Sequence, residues 1–530
     1  MLLDAIIIAD AGTESVSTTS AIRFNLNGKA ATIQNIKGYI NNKPYTDNED
    51  LFSWSSSLKL NGIFLFSYLK KHGFNVELVN NYFIDRTRFS DSMTRNPRAV
   101  IISTTFIMSK VLLRSLVTDI RSVYPDIFII VGGPFVYSSY LLLQKIKSNP
   151  EYLLASEKKD YLFLEIDQEP DVDLYIVSLR GENILLEVLN DLRNDSSINL
   201  PHNSAKLSGG SYIFSNRMDD VSNAEPMHID WNSMPDMVFQ NGIVPMQASN
   251  GCPNKCLFCN YMKDPRIMHI TPLDRIIEDM KVVARRGARY VWFVDDNFRL
   301  GKNDLNDVCK RMIAEKINLR WMSFMRASTL VRTDPILLKQ AGCVEVQLGL
   351  ESGDRHILQL MNKQADPDMY ASVIEKLMRH GINCSCYFLF GYPGETDASA
   401  GRTIEFIKSI EFPNYDGVLT WSLFPFMLLP LSPIYEIDHR QQFSLKGHWQ
   451  KWEHKTMNFD QAKACAIKTF FELKHSGILY RGDNQDMYLA MQPSIRKAFV
   501  SYRHECSKLA LQQNLDLHLM TKNMKAILCQ

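Results

Sequence analysis

The chain has 530 residues, 45% of them hydrophobic and 22% charged, with 25 glycines and 21 prolines. That length exceeds one ordinary core and predicts two or three domains, and the composition excludes a disordered or fibrous chain. Lys and Arg number 59 against 58 Asp and Glu, a formal charge of +1, so no global field draws in nucleic acid or an anionic membrane.

Met1 to Asp10 is apolar without a basic flank or a small-residue cleavage site, so it reads as a strand and not as a signal peptide. From there strand-like and helix-like runs alternate: Ala5 to Ala9, Ser57 to Lys71, Asn75 to Val79, Ala99 to Ser103, Lys110 to Val123, Ile127 to Gly132, Asp173 to Val177 and Glu182 to Leu192. Such alternation predicts a parallel sheet with helices on both faces, a doubly wound α/β domain over residues 1–195. Its ligands are expected at the carboxyl ends of the strands. Ala11 to Glu49 is a polar insertion on that side of the sheet, read equally as a lid or as a surface excursion.

Residues 196–240 lie in a stretch rich in Asn, Ser, Asp and Pro and read as a linker. Over 241–440 a helix, a glycine and a strand recur in that order: Arg285-Arg286-Gly287 before Tyr290 to Val294, Gln340-Ala341-Gly342 before Val344 to Leu350, and Arg379-His380-Gly381 before Cys384 to Phe390. Repeated units of this kind predict an α/β barrel. Thr271-Pro272 is expected to start one of its helices, with the threonine hydroxyl as cap. Val418 to Tyr435 is the most apolar long stretch, but Pro425, Pro430 and Pro433 break it, so a buried strand and a loop are expected there rather than a membrane span. Residues 441–530 show no strand alternation and read as a small, mainly helical domain, with helices at Phe459 to His475 and Ser494 to Gln513. Trp449, Trp452, His454, Tyr480, Arg481 and Tyr488 could roof a pocket there, although core packing is the commoner fate of such residues.

Ten cysteines, with only three closely spaced, fit a reducing cytoplasm in which thiols stay free for metal. Those three, Cys252, Cys256 and Cys259, follow the strand-like Ile243 to Ala248 in the run Asn250-Gly251-Cys252-Pro253-Asn254-Lys255-Cys256-Leu257-Phe258-Cys259. Three thiolates on a four-iron cluster leave one iron open to a small ligand. A structural zinc site is the alternative, but it ordinarily needs a second pair of ligands. Cys309, Cys343, Cys384, Cys386, Cys465, Cys506 and Cys529 read as ordinary buried small residues.

The cysteine spacing, with the aromatic Phe258 before the third thiol, resembles the signature of the radical S-adenosylmethionine superfamily. The resemblance implies a 4Fe-4S cluster on Cys252, Cys256 and Cys259, and S-adenosylmethionine bound on the open iron and cleaved to a 5′-deoxyadenosyl radical. Later segments are similar to the family's cofactor-binding strand ends. Asp295 or Asp296, in Trp292-Phe293-Val294-Asp295-Asp296-Asn297-Phe298, is expected near the methionine amino group. Arg326 is expected near its carboxylate. Glu351 and Ser352, in Gly349-Leu350-Glu351-Ser352-Gly353, and Gly391 and Pro393, in Phe390-Gly391-Tyr392-Pro393-Gly394-Glu395-Thr396, are expected along the ribose and adenine.

In the first domain Ile101-Ile102-Ser103-Thr104-Thr105, Val131-Gly132-Gly133-Pro134 and Ser178-Leu179-Arg180-Gly181-Glu182-Asn183 are similar to the cobalamin-binding domain that precedes the barrel in one class of this superfamily. Ser103, Thr104, Gly132, Gly133, Pro134, Gly181 and Glu182 are the residues expected to line cobalamin. The Asp-x-His-x-x-Gly segment that ligates cobalt from below in other cobalamin proteins is absent after the first strand.

The implied fold is therefore α/β: a Rossmann-like cobalamin-binding domain, a partial (β/α)6 radical barrel and a helical C-terminal domain. The implied activity is methyl transfer from methylcobalamin to an unactivated carbon of a small molecule, as in natural-product biosynthesis. The implied electron donor is external, a flavodoxin or ferredoxin, with no membrane or nucleic-acid partner. Two other readings stay open: a radical rearrangement, cyclisation or oxidation on the same scaffold, and a non-catalytic iron–sulfur protein.

Overall fold

The computed structural model describes residues 2–11, 24–26, 29–31, 57–218, 228–240, 242–261, 268–298, 301, 304–479 and 485–530. The chain divides into two compact units, Met1–Glu14 with Ser55–Pro235, and Ser15–Trp54 with Asp236–Gln530. Of the insertion after the first strand, only a hairpin pairing Phe24–Leu26 with Lys29–Ala31 is described, and the rest of the expected lid lies outside the described residues.

The first unit is built on a seven-stranded sheet. Its strands are β1 (Ala5–Ile8), β2 (Val76–Val79), β3 (Ala99–Ser103), β4 (Phe128–Gly132), β5 (Leu174–Ile176), β6 (Ser204–Ser208) and β7 (Ser211–Phe214). They lie in the order β2-β1-β3-β4-β5-β6-β7. The first five are parallel, in registers such as Ala5↔Val76, Ala5↔Ala99, Ala99↔Phe128 and Ile130↔Leu174. β1 and β3 are buried at every position because helices cover both faces, which is why they read as unbroken apolar runs. The order reverses between β1 and β3, and open sheets of this type take ligands at the carboxyl ends beside that reversal.

β6 and β7 form an antiparallel hairpin on β5, with Ile176↔Ser204 and Ala205↔Phe214 in register. This hairpin falls in the stretch expected to be a plain connection. One side of it faces solvent, with Lys206, Ser208, Ser211 and Ile213 exposed, and the strands have only five and four residues, so no apolar run marked it.

The second unit carries a wholly parallel seven-stranded sheet of β8 (Ile243–Met246), β9 (Tyr290–Phe293), β10 (Arg320–Met325), β11 (Cys343–Glu351), β12 (Asn383–Phe390), β13 (Leu419–Pro425) and β14 (Gly477–Ile478), in that order. One row in register runs Met246↔Phe293, Phe293↔Ser323, Ser323↔Val346, Val346↔Cys384 and Cys384↔Leu419. The glycines that end three intervening helices, Gly287, Gly342 and Gly381, have φ of 97°, 92° and 72°. That left-handed conformation closes a helix and turns the chain into the next strand. The helix Leu273–Arg285 starts one residue later than expected, since its cap position is Pro272 with no side-chain bond, and the Thr271 backbone N–H donates to Ala248 O instead.

Six strands were expected and a seventh is present. β14 comes from the C-terminal region and pairs Thr420↔Gly477 and Trp421↔Ile478, too short a strand to leave an alternating pattern. A small antiparallel sheet, Lys446–His448, Lys451–His454 and Met457–Asn458, precedes it. The helices Pro493–Leu511 and Leu517–Leu528 then pack Phe499, Val500, Cys506, Met520 and Met524 against Tyr290, Trp292 and Met322. No helix of the described residues is long and apolar enough to cross a membrane.

Candidate functional site

All the motif residues of the second unit fall at carboxyl ends of its parallel strands, the face on which barrel active sites are built. The cysteine loop leaves β8 through Ser249 and Asn250, which pair antiparallel with Ile270 and His269. Its far side is tied down as well. Leu257 N donates to Met361 O at 3.0 Å, Ile434 N to Leu257 O at 3.0 Å, and Asn362 Nδ2 to Lys255 O at 2.9 Å. Cys256 is buried, and Cys252 and Cys259 are half-buried. Asn254 Nδ2 donates to Cys252 Sγ at 3.1 Å and Tyr261 N to Cys259 Sγ at 3.4 Å, the kind of N–H···S contact that stabilises thiolates around a cluster. Among the described residues no three His, Cys, Asp or Glu side chains stand together as a metal site.

The two carboxylates after β9 have different surroundings. Asp295 is 2% exposed and accepts from Ala248 N at 3.2 Å, from Ser249 Oγ at 2.7 Å and from Ser249 N. Burial pushes its carboxyl up to about 7, against the pull of those donors. It is a strut joining β9 to the start of the cysteine loop, and its oxygens are committed there rather than to a ligand's ammonium. Asp296 is exposed and takes Gly251 N on Oδ2 at 3.0 Å. Of the expected pair, Asp296 is the one that faces outward.

A compact charged group stands behind the loop. Glu351 Oε1 lies 2.8 Å from Lys363 Nζ, with both side chains nearly enclosed. The Lys363 ammonium sits 5.7 Å from the centre of the Phe258 ring, and Arg326 donates through Nη2 to Lys363 O. Glu351 has φ of +67° at the end of β11, where the register to β12 shifts between Gly349 and Glu351. That irregularity brings its carboxylate beside Gly349, 2.7 Å from where a Cβ on that glycine would stand. Phe258, Arg326 and Glu351 are thus brought together around Lys363, which no motif singled out. Its only sequence signal is a lysine just past the short helix Arg355–Leu360, and nothing local marks such a lysine as buried.

Two expected ligand-side residues are occupied by the fold itself. Ser352 is fully buried, 2.9 Å from Thr403 Oγ1 and accepting from Asp354 N at 3.0 Å, so it anchors the helix Asp397–Ser409. Gly391 has φ of +88°, and a Cβ there would lie 2.5 Å from both Ala462 Cβ and Trp452 Cη2. Its small size serves packing against the C-terminal region. Pro393 is buried in the turn Tyr392-Pro393-Gly394-Glu395, closed by Glu395 N donating to Tyr392 O at 2.8 Å. Glu395 is wholly buried, and burial pushes its carboxyl up to about 8 although Gly391 N donates to it.

Trp452, His454 and Tyr488 are buried, with Trp452 and His454 stacked at 5.4 Å, while Trp449 is 38% exposed. Tyr480 and Arg481 lie outside the described residues. Of the remaining cysteines, Cys309, Cys343, Cys384, Cys386 and Cys506 are buried as expected, whereas Cys465 is half-buried and Cys529 exposed. Cys529 sits next to the last residue and Cys465 on a partly exposed helix, where burial has no neighbours to build from.

In the first unit Ser103, Thr104, Gly132, Gly133, Pro134, Gly181 and Glu182 all follow the carboxyl ends of β3, β4 and β5. Thr104 Oγ1 and N both donate to Gly132 O at 2.8 Å, and Asn61 Nδ2 donates to Ser103 Oγ at 2.8 Å. Gly133 has φ of +110°, and its Cβ would meet Thr104 Oγ1 at 3.0 Å. The backbone at 132, 133, 181 and 182 is half-buried, and Pro134 is exposed. At the end of β1 a buried pair, Lys59 Nζ and Asp10 Oδ2 at 3.4 Å, fills the position beside the reversal of strand order.

Residues 246–407 match the profile of the Radical SAM superfamily. The chain is 28% identical over 298 residues to bacteriochlorophyllide d C-12(1)-methyltransferase of Chlorobaculum tepidum, covering 51% of this chain and 61% of that protein. It thus spans less than two thirds of the curated relatives it matches, 37% for an uncharacterized methyltransferase of Pyrococcus horikoshii that is 26% identical over 168 residues, 31% of this chain. Its fold is similar to that of the radical S-adenosylmethionine methyltransferase TsrM of Kitasatospora setae, solved with cobalamin and a 4Fe-4S cluster bound. The TM-score is 0.58 at 12% identity, covering 97% of this chain and 100% of that one. It is similar too to the cobalamin-dependent radical enzyme OxsB, solved with aqua-cobalamin and S-adenosylmethionine, with a TM-score of 0.53 at 13% identity over 99% of this chain and 78% of that one. Residues 246–407 are thus a Radical SAM superfamily domain, carried in a chain whose fold is similar to those of TsrM and OxsB.

Proposed function

We propose that this chain methylates an unactivated carbon of a small molecule, using S-adenosylmethionine, a 4Fe-4S cluster and cobalamin. The observation that carries the reading is the pairing, in one chain, of a braced three-thiol loop on the parallel barrel of the second unit with a first unit of strand order β2-β1-β3-β4-β5. The methyltransferase names of the relatives support it. When bound, the cluster with S-adenosylmethionine supplies a carbon-centred 5′-deoxyadenosyl radical, and methylcobalamin supplies a methyl group.

The donor chemistry fits these groups. Cys252, Cys256 and Cys259 would hold the cluster on a loop whose ends are fixed by Asp295, Met361 and Ile434. The two sulfur-directed N–H groups, from Asn254 and Tyr261, match a thiolate set. Asp296 suits an ammonium, and Arg326 and Lys363 suit a carboxylate or ribose hydroxyls beside Phe258. Packing keeps Glu351 and Lys363 dry, which holds their charges in fixed directions and excludes water from a reactive radical.

In the first unit Gly132, Gly133, Pro134 and Gly181 would hold cobalamin, the three glycines having no side chain to keep it from the backbone. Pro134 opens the helix Pro134–Ser148, which has no side-chain cap on its first N–H groups. An uncapped helix start at a strand end suits a phosphodiester. An external one-electron donor of the flavodoxin or ferredoxin kind completes the reading.

The test is anaerobic purification with cobalamin supplied, followed by absorbance spectroscopy, iron and cobalt counts, and product analysis after reduction. Methyl transfer requires both metals, and both 5′-deoxyadenosine and S-adenosylhomocysteine among the products. Iron without cobalt, or deoxyadenosine without S-adenosylhomocysteine, defeats the methyltransferase reading and leaves the radical domain standing.

A further inference from the structure

The register of the second sheet sorts its side chains into two faces. Phe293, Ser323, Val346, Cys384 and Leu419, and two residues on Met325, Leu348, Cys386 and Trp421, are all fully or almost fully buried, as the helix-covered face requires. The opposite face carries Phe324, Gln347, Ser385 and Thr420 in one row, then Gly349, Tyr387 and Ser422 in the next. Here Phe324, Tyr387 and Phe424 are only half-buried. Phe324 and Tyr387 lie 5.4 Å apart, and the rings of Tyr387 and Phe424 are parallel to within 7°. Tyr387 and Phe424 thus form a flat apolar platform across β12 and β13, edged by the Phe324 ring of β10, which is tilted by 34° and packs against the core cluster of the C-terminal helices.

Beside the platform stands an acceptor that the fold leaves unused. Gln347 is fully buried, and its Nε2 donates to Glu345 Oε1 at 3.3 Å. A carboxylate only accepts, so that bond fixes which end of the amide faces Glu345. Among the described residues Gln347 Oε1 then has no hydrogen-bond partner. A buried acceptor left without a donor is costly, and so calls for one. One step along β11, Gly349 has no side chain, and the Glu351 carboxylate and Lys363 ammonium stand beside it. Platform and acceptor therefore adjoin the charged group behind the cysteine loop.

We infer that this face binds the substrate, and that the substrate is a flat aromatic ring carrying an N–H donor, its ring on Tyr387 and Phe424 and its N–H on Gln347 Oε1. The inference rests on the proposed function for what is then done to the ring, but recognition is separable from turnover. Indole and its donor-less isostere benzothiophene test it by ligand-observed NMR on the full chain with S-adenosylmethionine present, so that any adenine-accepting surface is filled. Neither reductant nor cobalamin is needed.

The wild-type chain binds indole about fivefold more tightly than benzothiophene, the worth of one net hydrogen bond. Gln347→Leu abolishes that preference while retaining both ligands. Tyr387→Ala and Phe424→Ala each weaken both ligands about fivefold. The inference is overturned if neither probe binds, if the two bind wild type alike because Gln347 holds only a structural water, or if the preference survives Gln347→Leu. The wild-type comparison stands even if a variant fails to fold. A retained indole preference in a chain that, purified separately with cobalamin supplied, binds iron without cobalt would sink the methyltransferase reading alone.

Discussion

Replacing Lys363 by methionine keeps the aliphatic stem and removes the ammonium that faces Glu351. The two residues are 7% and 8% exposed, with Nζ and Oε1 2.8 Å apart, so water cannot take over the lost partner. Removing one member of such a pair leaves a buried charge uncompensated and costs about 3–5 kcal/mol, whereas replacing both by neutral groups of similar shape is close to neutral. Lys363→Met is therefore expected to lower stability by about 3 kcal/mol. Adding Glu351→Gln is expected to restore most of it, a coupling of about 2 kcal/mol or more. Urea unfolding of the full chain, followed by tryptophan fluorescence and compared at equal m-values, measures both. Strictly additive single and double variants would refute the reasoning, because additivity means that the charges are solvated and do not depend on each other.

Three further outcomes are expected. Cys256→Ala, which removes the buried thiol of the loop, should reduce reconstituted iron about tenfold or more with little change in far-ultraviolet circular dichroism, and retained iron would reject the cluster assignment. Burial pushes the Glu395 carboxyl up to about 8 from its ordinary 4.5, so between those values the folded state holds a proton that the unfolded chain releases. Its contribution is fully present below pH 4.5 and is lost as pH rises through 8, by about 5 kcal/mol. Glu395→Gln should flatten the fall in Tm between pH 5 and 8, and an unchanged slope would exclude this group as its source. Gly391→Ala forces a methyl to 2.5 Å from Trp452 and Ala462 at a φ of +88°. A loss of about 2–4 kcal/mol, with a changed near-ultraviolet tryptophan signal, is the expected readout.

Several elements were readable in the sequence to the residue, among them β3 at Ala99–Ser103 and the helix Lys110–Val123. Strands enclosed on both faces have to be apolar throughout, and amphipathic helices carry their own period. The hairpin Ser204–Ser208 with Ser211–Phe214 and the short strand Gly477–Ile478 were not readable. They are held by pairing with a sheet already present, and a few residues at an edge need no pattern of their own. The same division appears in the C-terminal region, where the helices Phe459–Glu472 and Pro493–Leu511 were legible and the helix Leu517–Leu528 and the small antiparallel sheet were not.

At the site, sequence alone determined the three thiols, their place on the first loop of a parallel barrel, and the strand ends that follow them. Spacing along eight residues and strand-to-loop boundaries are local properties, so they are written locally. Tertiary structure alone decided which of two adjacent carboxylates is a buried strut, Asp295, and which faces outward, Asp296. It also brought Lys363 to Glu351, Arg326 and Phe258, turned Ser352 and Gly391 to packing, and left Gln347 with an unused acceptor. Each of these depends on what stands opposite a side chain across strands distant in sequence, and burial and charge pairing exist only once those strands are side by side.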